Sequence, residues 1–249
     1  MICAIFDSAL RDCLSDALEM VEISLRTSIA FHFGRAFGPF GHADAANFDK
    51  AFSPQAATNA TQGKSSSTHG EWHKTLIDET RRSRELFVDH FRDTYSQYPD
   101  LPIWMVSEIC SFGTLSRMYS NLRNREQGAV ARDYSIQFVI LKSWLHTFTF
   151  ARNVCAHHAR LWDRQLSISP KIPGGKRWGL VAKHSKTIYA VALMLNWMLA
   201  HDSIPEGKHS EWKRRMETLM RGFAARFPQL LHQTGFPIDW TKDPLWWQV

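Results

Sequence analysis

The stretch FARNVCAHHARLWDR, Phe150 to Arg164, gathers proton carriers and fixed positive charge within a few helical turns. Arg152 is followed directly by Asn153, and His157 stands five positions after the arginine, with His158 beside it. A neutral imidazole takes up a proton and an imidazolium returns one near physiological pH. A guanidinium can hold two oxygens of a phosphate and stabilise charge that builds on it. An amide can orient either partner. Together these groups suit cleavage of a phosphodiester whose own 2′-OH is the nucleophile, a group that RNA carries and DNA lacks. That chemistry requires no metal.

On a continuous helix Asn153 and His157 are i and i+4 and share a face. Arg152 lies about 140° around from His157, a gap its long side chain can span, and His157 and His158 point about 100° apart. One histidine then faces the site and the other a packing partner. The spacing alone is not distinctive. Arg26 and His32, Arg35 and His42, and Arg84 and His90 show similar intervals, but only Arg152 has an amide beside it. A buried polar cluster joining helices would use the same residues. A metal site built from His146, Cys155, His157 and His158 is not expected, because no pair of them repeats at ligand spacing. Cys3, Cys13, Cys110 and Cys155 are scattered without a CxxC pair, which implies free thiols in a reducing compartment. No metal or cofactor is expected.

The chain of 249 residues carries a net charge of +6, unevenly placed. From Thr114 to Lys186 there are thirteen Lys/Arg against three Asp/Glu, a net of +10, so the remainder sums to −4. A solvated basic face is the plain reading of such a span. A surface for a polyanion such as RNA is the sharper one, and Arg117, Arg123, Arg125, Arg164, Lys176 and Arg177 are its candidate contacts. The apolar fraction of 44% supports a core and excludes a disordered chain. No export signal is apparent, and IYAVALMLNWMLA at 188–200 is too short to span a bilayer. The expected location is the cytoplasm, with no membrane partner.

The elements that must position the motif read as helices throughout. Leu10, Leu14, Ala17, Val21, Leu25 and Ile29 recur at three- and four-residue steps, predicting a helix over 8–37 that ends at Gly38-Pro39. Residues 38–70 read as a mobile loop. Helices are expected at about 71–95, 103–111, 114–124, 126–132, 135–160, 184–201 and 209–226, the one over 135–160 carrying the motif. In RRSRELFVDHFRD, Leu86, Phe87 and Phe91 mark the face expected to pack. An aromatic tail, GFPIDWTKDPLWWQV, closes the chain and should fold back on the core. The class is all-α, a helical bundle with a long motif-bearing helix, in one domain over 1–249.

Three blocks, LEMVEISLRTSIAFHFG, PIWMVSEICSFGTLSRMYSNL and LHTFTFARNVCAHHARLWDR, resemble the abortive-infection (Abi-like) proteins of bacteria. The tail GFPIDWTKDPLW is similar to that family's ending. The resemblance implies a HEPN-type helical bundle, a superfamily rich in metal-independent ribonucleases, with a signature of Arg, a polar residue, spacers and His. It maps onto Arg152, Asn153 and His157 as catalytic residues. His158, Arg160, Glu22 and Arg26 are supporting candidates, with Glu22 and Arg26 either a simple i, i+4 ion pair or a brace for the motif helix. Two departures stand out. Family members usually carry a further region before the first helix, and they commonly read Arg-Leu-Trp-Asn where this chain has Asp163. The resemblance implies an antiphage ribonuclease toxin with RNA as substrate and an RNA or protein antitoxin as partner. The alternative is a noncatalytic RNA- or nucleotide-binding module of the same fold. A homodimer is expected, because one Arg-Asn-His set has one catalytic histidine while transesterification uses a base and an acid. The aromatic residues Trp144, Phe148, Phe150 and Trp162 would then offer apolar surface to the second copy, or else simply fill the core of one copy.

Overall fold

The computed structural model of the chain describes residues 2–52, 68–201 and 207–247. Every regular element among them is helical, and the β contact is an isolated bridge between Phe48 and Leu122. The chain divides into two compact units, Leu25–Asp133 and Met1–Ser24 with Tyr134–Val249. The division falls inside the first helix, α1 (Ile2–Phe37). Its buried stripe of Leu10, Leu14, Ala17, Val21, Leu25, Ile29 and Phe33 follows the helical period. Gly38, at φ +78°, ends α1 where the sequence predicts, its N–H donating to the Gly34 carbonyl at 2.8 Å.

The unit Leu25–Asp133 continues through α2 (His69–Arg82), α3 (Leu86–Thr94), α4 (Ile103–Ile109), α5 (Phe112–Asn121) and α6 (Asn124–Asp133). Thr68 and Glu71 form a reciprocal capping box at the start of α2, satisfying donors that a helix N-terminus leaves unpaired. α2 packs against α4 and α5, and its buried Trp72 donates from Nε1 to the Thr114 carbonyl at 3.1 Å. The single helix expected over 71–95 is two. Ser83 and Glu85 are both extended, and the Ser83 hydroxyl accepts from the Glu85 N–H, a local bond that competes with the helix. The break changes which residues are buried. Val88 and Phe91 are covered, whereas Leu86 is 85% exposed. Much of the expected loop over 38–70 is anchored, because His42, Phe48 and Phe52 are buried along three short 3₁₀ turns. The rest of that expectation, residues 53–67, lies outside the described residues.

The other unit holds α7 (Phe138–Ala156), α8 (Gly179–Lys183), α9 (Ile188–Ala200), α10 (Lys208–Arg226) and α11 (Pro244–Trp247). The helix expected over 184–201 starts at Ile188 because Thr187 is extended, and α8 stands as a separate turn. Every residue of α9 from Ile188 to Leu199 is buried, and α7, α8, α10 and α11 pack around it. An all-apolar helix is stable only when covered in this way. Its one strongly polar residue, Asn196, is fully satisfied: Nδ2 donates to the Leu245 carbonyl at 2.9 Å and Oδ1 accepts from His209 Nε2 at 2.8 Å. The aromatic tail completes this core, with Phe236, Trp240, Leu245 and Trp246 buried. No helix among the described residues is long and apolar enough to cross a membrane.

Burial lowers His209 from its ordinary value to about 4, with Lys213 and His201 adding repulsion. The folded state therefore holds His209 neutral where the unfolded chain protonates it. Its contribution to stability is complete above about pH 6.5 and is lost as pH falls toward 4. Thermal melts across that window should show a falling midpoint, with a shallower slope in His209→Gln. An identical slope in the variant would contradict this assignment.

Candidate functional site

The motif helix α7 is buried along Ile140, Leu141, Trp144, Leu145, Phe148, Ala151 and Val154. Thr147 and Thr149 spend their hydroxyls on carbonyls four residues back, so the polar side chains add no unpaired group. The segment after the motif returns across the helix: the Lys171 carbonyl accepts from Trp144 Nε1 and its N–H donates to Ser143 Oγ, each at 2.8 Å. Trp144, Phe148 and Trp162 fill the interior of this unit and Phe150 is half-buried. Trp144, Phe148 and Trp162 thus fill the core of one copy, and on that ground the expectation that they offer apolar surface to a second copy is corrected for those three.

α7 stops at Ala156, four residues short of the expected end. The His158 N–H donates to the Cys155 carbonyl and the Ala159 N–H to the Val154 carbonyl, both at 3.0 Å, a Schellman closure. His158 occupies the left-handed position at φ +51°, where glycine is usual and another L residue costs roughly 1 kcal/mol. His157 is the C-cap, and its N–H still reaches the Asn153 carbonyl at 3.0 Å. The regular helical angles assumed for His157 and His158 therefore do not apply beyond Ala156.

From the cap to Gly175 the chain has no helix, yet it is held closely. Buried Asp7 accepts from the N–H groups of Leu161 and Trp162 on Oδ1, at 2.9 and 2.6 Å. Its Oδ2 accepts from Arg11 Nη1. Trp162 packs edge to face with Phe6 and Phe223 around this point, and those two rings lie tilted against each other. The Asp163 N–H donates to the Gln233 carbonyl and the Leu166 N–H to the Lys186 carbonyl, both at 2.7 Å. Asp163 itself sits at φ +52°, a conformation that Asn and Asp tolerate better than most residues, which fits either of them at this position.

Between the helix cap and the Asp7 anchor, the motif side chains are presented outward. Arg152, Asn153, His157, His158 and Arg160 are all exposed. No hydrogen bond to another described residue engages the side chains of Asn153, His157 or His158. Both histidines face solvent, so neither serves as the packing partner expected of one of them. Arg152, half exposed, has Glu22 Oε2 at 3.9 Å from its Nε, so Glu22 of α1 lies beside the motif. Arg26 belongs to the unit Leu25–Asp133, where its Nη1 donates to the Cys110 carbonyl at 2.8 Å and to the Ser107 carbonyl at the end of α4. The basic candidates divide likewise. Arg164, Lys176 and Arg177 lie in the motif's unit, Arg164 donating to the Arg160 carbonyl and Arg177 lying 4.9 Å over the Trp197 ring. Arg117, Arg123 and Arg125 lie in the other, where Arg123 donates to the Ala46 carbonyl and covers Phe37. Burial pushes the Cys155 thiol up to about 11, so it is inert beside the motif.

Among the described residues, one group of metal-ligating side chains lies away from the motif. It is at His42, His73 and Asp100, which sequence reasoning missed because they are far apart along the chain. A cleft of about 530 Å³ in the same unit is lined by Glu79, Arg82, Glu108 and their neighbours, none of them motif residues.

The model of the family described as Abi-like protein matches residues 1–163. The chain belongs to that family. The matched span contains Asp7, Glu22, the whole of α7 and both histidines, and it closes at Asp163, immediately after the amides that Asp7 holds. The resemblance in the tail lies beyond the matched residues. No curated protein and no solved structure matches the chain.

For this Abi-like chain the Asp7 anchor is the testable element. Asp7→Ala strands two buried amides and the Arg11 guanidinium and should cost about 3 kcal/mol of stability. Asp7→Asn keeps the Oδ1 acceptor for both amides and should cost less. Chemical denaturation of the three proteins checks the order; an Asp7→Ala protein as stable as wild type would show that the anchor does not hold the segment.

Proposed function

We propose that this Abi-like protein is a metal-independent endoribonuclease of HEPN type that acts as an abortive-infection toxin. The observation that carries the reading is the exposure of Arg152, Asn153 and His157, uncommitted to the interior, at the end of an otherwise buried helix. A purely structural polar cluster would be buried and internally hydrogen-bonded. In the proposed reaction the RNA 2′-OH attacks the adjacent phosphorus and the bond to the 5′-oxygen breaks, giving a 2′,3′-cyclic phosphate and a 5′-OH end. One base takes the 2′-OH proton and one acid protonates the leaving oxygen. His157 performs proton transfer, Arg152 holds the phosphate and Asn153 orients its neighbours. Glu22 lies at the Nε edge of Arg152, which leaves the terminal Nη groups for phosphate oxygens. His158 and Arg160 lie within the same exposed span.

A second copy of the chain supplies the second histidine in this reading, and the basic residues draw in RNA with an affinity that falls as salt rises. The Glu22 carboxylate favours a second reading, noncatalytic binding of RNA or a nucleotide, because it offsets part of the Arg152 charge.

Expression in bacteria separates the two. His157→Ala and Arg152→Ala should each remove most toxicity with the helical signal intact, since loss of a general base costs a factor of about 10² to 10⁴. Asn153→Ala should do less damage. Toxicity unchanged in His157→Ala at equal expression would remove the catalytic reading, and RNA bound but left whole by every protein would favour the binding module. Co-expressing His157→Ala with the wild-type chain should suppress toxicity if the site is composite, because a mixed dimer lacks one of the two histidines, and light scattering should give the mass of a dimer. A monomer that still cuts RNA would remove the composite site.

A further inference from the structure

In the unit Leu25–Asp133, three side chains from separate segments meet. His42 comes from the 3₁₀ turn Gly41–Ala43, His73 from the second turn of α2, and Asp100 from the turn that leads to α4. One nitrogen or oxygen of each lies within 4.8 Å of the others. Two imidazoles and a carboxylate are the donor set that zinc and its first-row neighbours take, whereas calcium and magnesium favour oxygen alone.

We propose that His42, His73 and Asp100 bind a single divalent transition-metal ion of the zinc type. Three further observations bear on it. His42 is 1% exposed, and its Nδ1 has no hydrogen-bond partner, a rare condition for a buried imidazole and one that a coordinated ion would relieve. His69 holds the arrangement from behind: its Nε2 lies 2.9 Å from the His42 carbonyl, and its ring stacks on that of His73 within 9° of parallel. Such outer contacts are what orient histidine ligands in metal sites. The capping box at Thr68 fixes the first turn of α2, and so fixes His69 and His73 relative to each other.

The donor spacing sets what must move. His73 Nε2 lies 2.9 Å from Asp100 Oδ1, close enough to share a proton. Donors around a tetrahedral ion at about 2.1 Å stand about 3.4 Å apart. The pair opens by about 0.5 Å on that geometry, and the ion takes the place of the shared proton. Both side chains are partly exposed, so the adjustment needs no change in the core. Three protein ligands leave a position for water. The ion ties the turn after α1 to α2 and to the approach to α4, and its role is to hold this unit together. It lies outside the residues proposed to cut RNA.

The full chain, purified without a polyhistidine tag and stripped with chelator, is titrated with cobalt(II) followed by visible absorption and with zinc(II) followed by native mass spectrometry. One equivalent should bind with the absorption bands of a four- or five-coordinate ion, and the melting temperature should rise with it. His73→Ala and Asp100→Asn should each weaken binding by about 100-fold or more, whereas His146→Ala, an exposed histidine in the other unit, should not. His73 and Asp100 decide the matter even if buried His42→Ala fails to fold. No cobalt bound by the stripped wild-type chain, or one equivalent bound equally by all the variants, would overturn the site.

Discussion

A carboxylate in the second turn of α1 holds two backbone amides that lie 154 and 155 positions later in the chain. The arrangement at the motif depends on that contact. A helix can end in many directions, and the Schellman closure at His158 fixes only the first turn of the exit. Asp7 fixes the next. With Leu161 and Trp162 drawn into the core, the intervening residues have nowhere to go but the surface. The span from His157 to Arg160 is thereby short, exposed and held at both ends without its side chains being used for the purpose.

The polar groups of this unit fall into two sets. Those in the core are paired: Asn196 with His209 and the Leu245 carbonyl, Tyr189 with Asp243, Trp212 with the Cys13 carbonyl, Trp246 with Glu217. They join the tail and α10 to the buried α9, and α10 to the N-terminal part of α1. Those of the motif are left open to solvent. The electrostatics of a helix end sharpen the contrast. A C-terminus is the negative end of the helix dipole and repels phosphate, and the donors just past it are already spent on the helix carbonyls. Any phosphate bound there must be held by side chains, which gives Arg152 a role that backbone cannot fill.

Much of this was legible in the sequence where the determining interactions are local. The apolar stripe of α1 and its stop at Gly38 follow from period and backbone freedom, and the motif helix announces itself through Trp144, Phe148 and Ala151. Errors arose where a distant partner or a small side chain decided the outcome. Ser83 breaks a pattern that periodicity carries straight through. The motif helix reads on to Arg160 because no glycine or proline interrupts it before that point, whereas His158 takes the left-handed closing position and Asp7 draws Leu161 and Trp162 inward. The aromatic residues near the motif look like an interface until the helices around them are placed. The cluster of His42, His73 and Asp100 has no ligand spacing to betray it, since its members are brought together by α2 and the turns packed at its start.

The central claim is that Arg152 and His157 cut RNA through its own 2′-OH. Its most direct test is incubation of the purified protein with total cellular RNA in the presence of chelator, with the chemistry of the new ends determined and the helical signal verified under the same conditions. The account predicts 2′,3′-cyclic phosphate and 5′-OH ends from the wild-type protein, and a fall of about 10²-fold or more with His157→Ala. Cleavage abolished by chelator in a still-folded protein and restored by added metal, or ends that carry a 5′-phosphate, would contradict it.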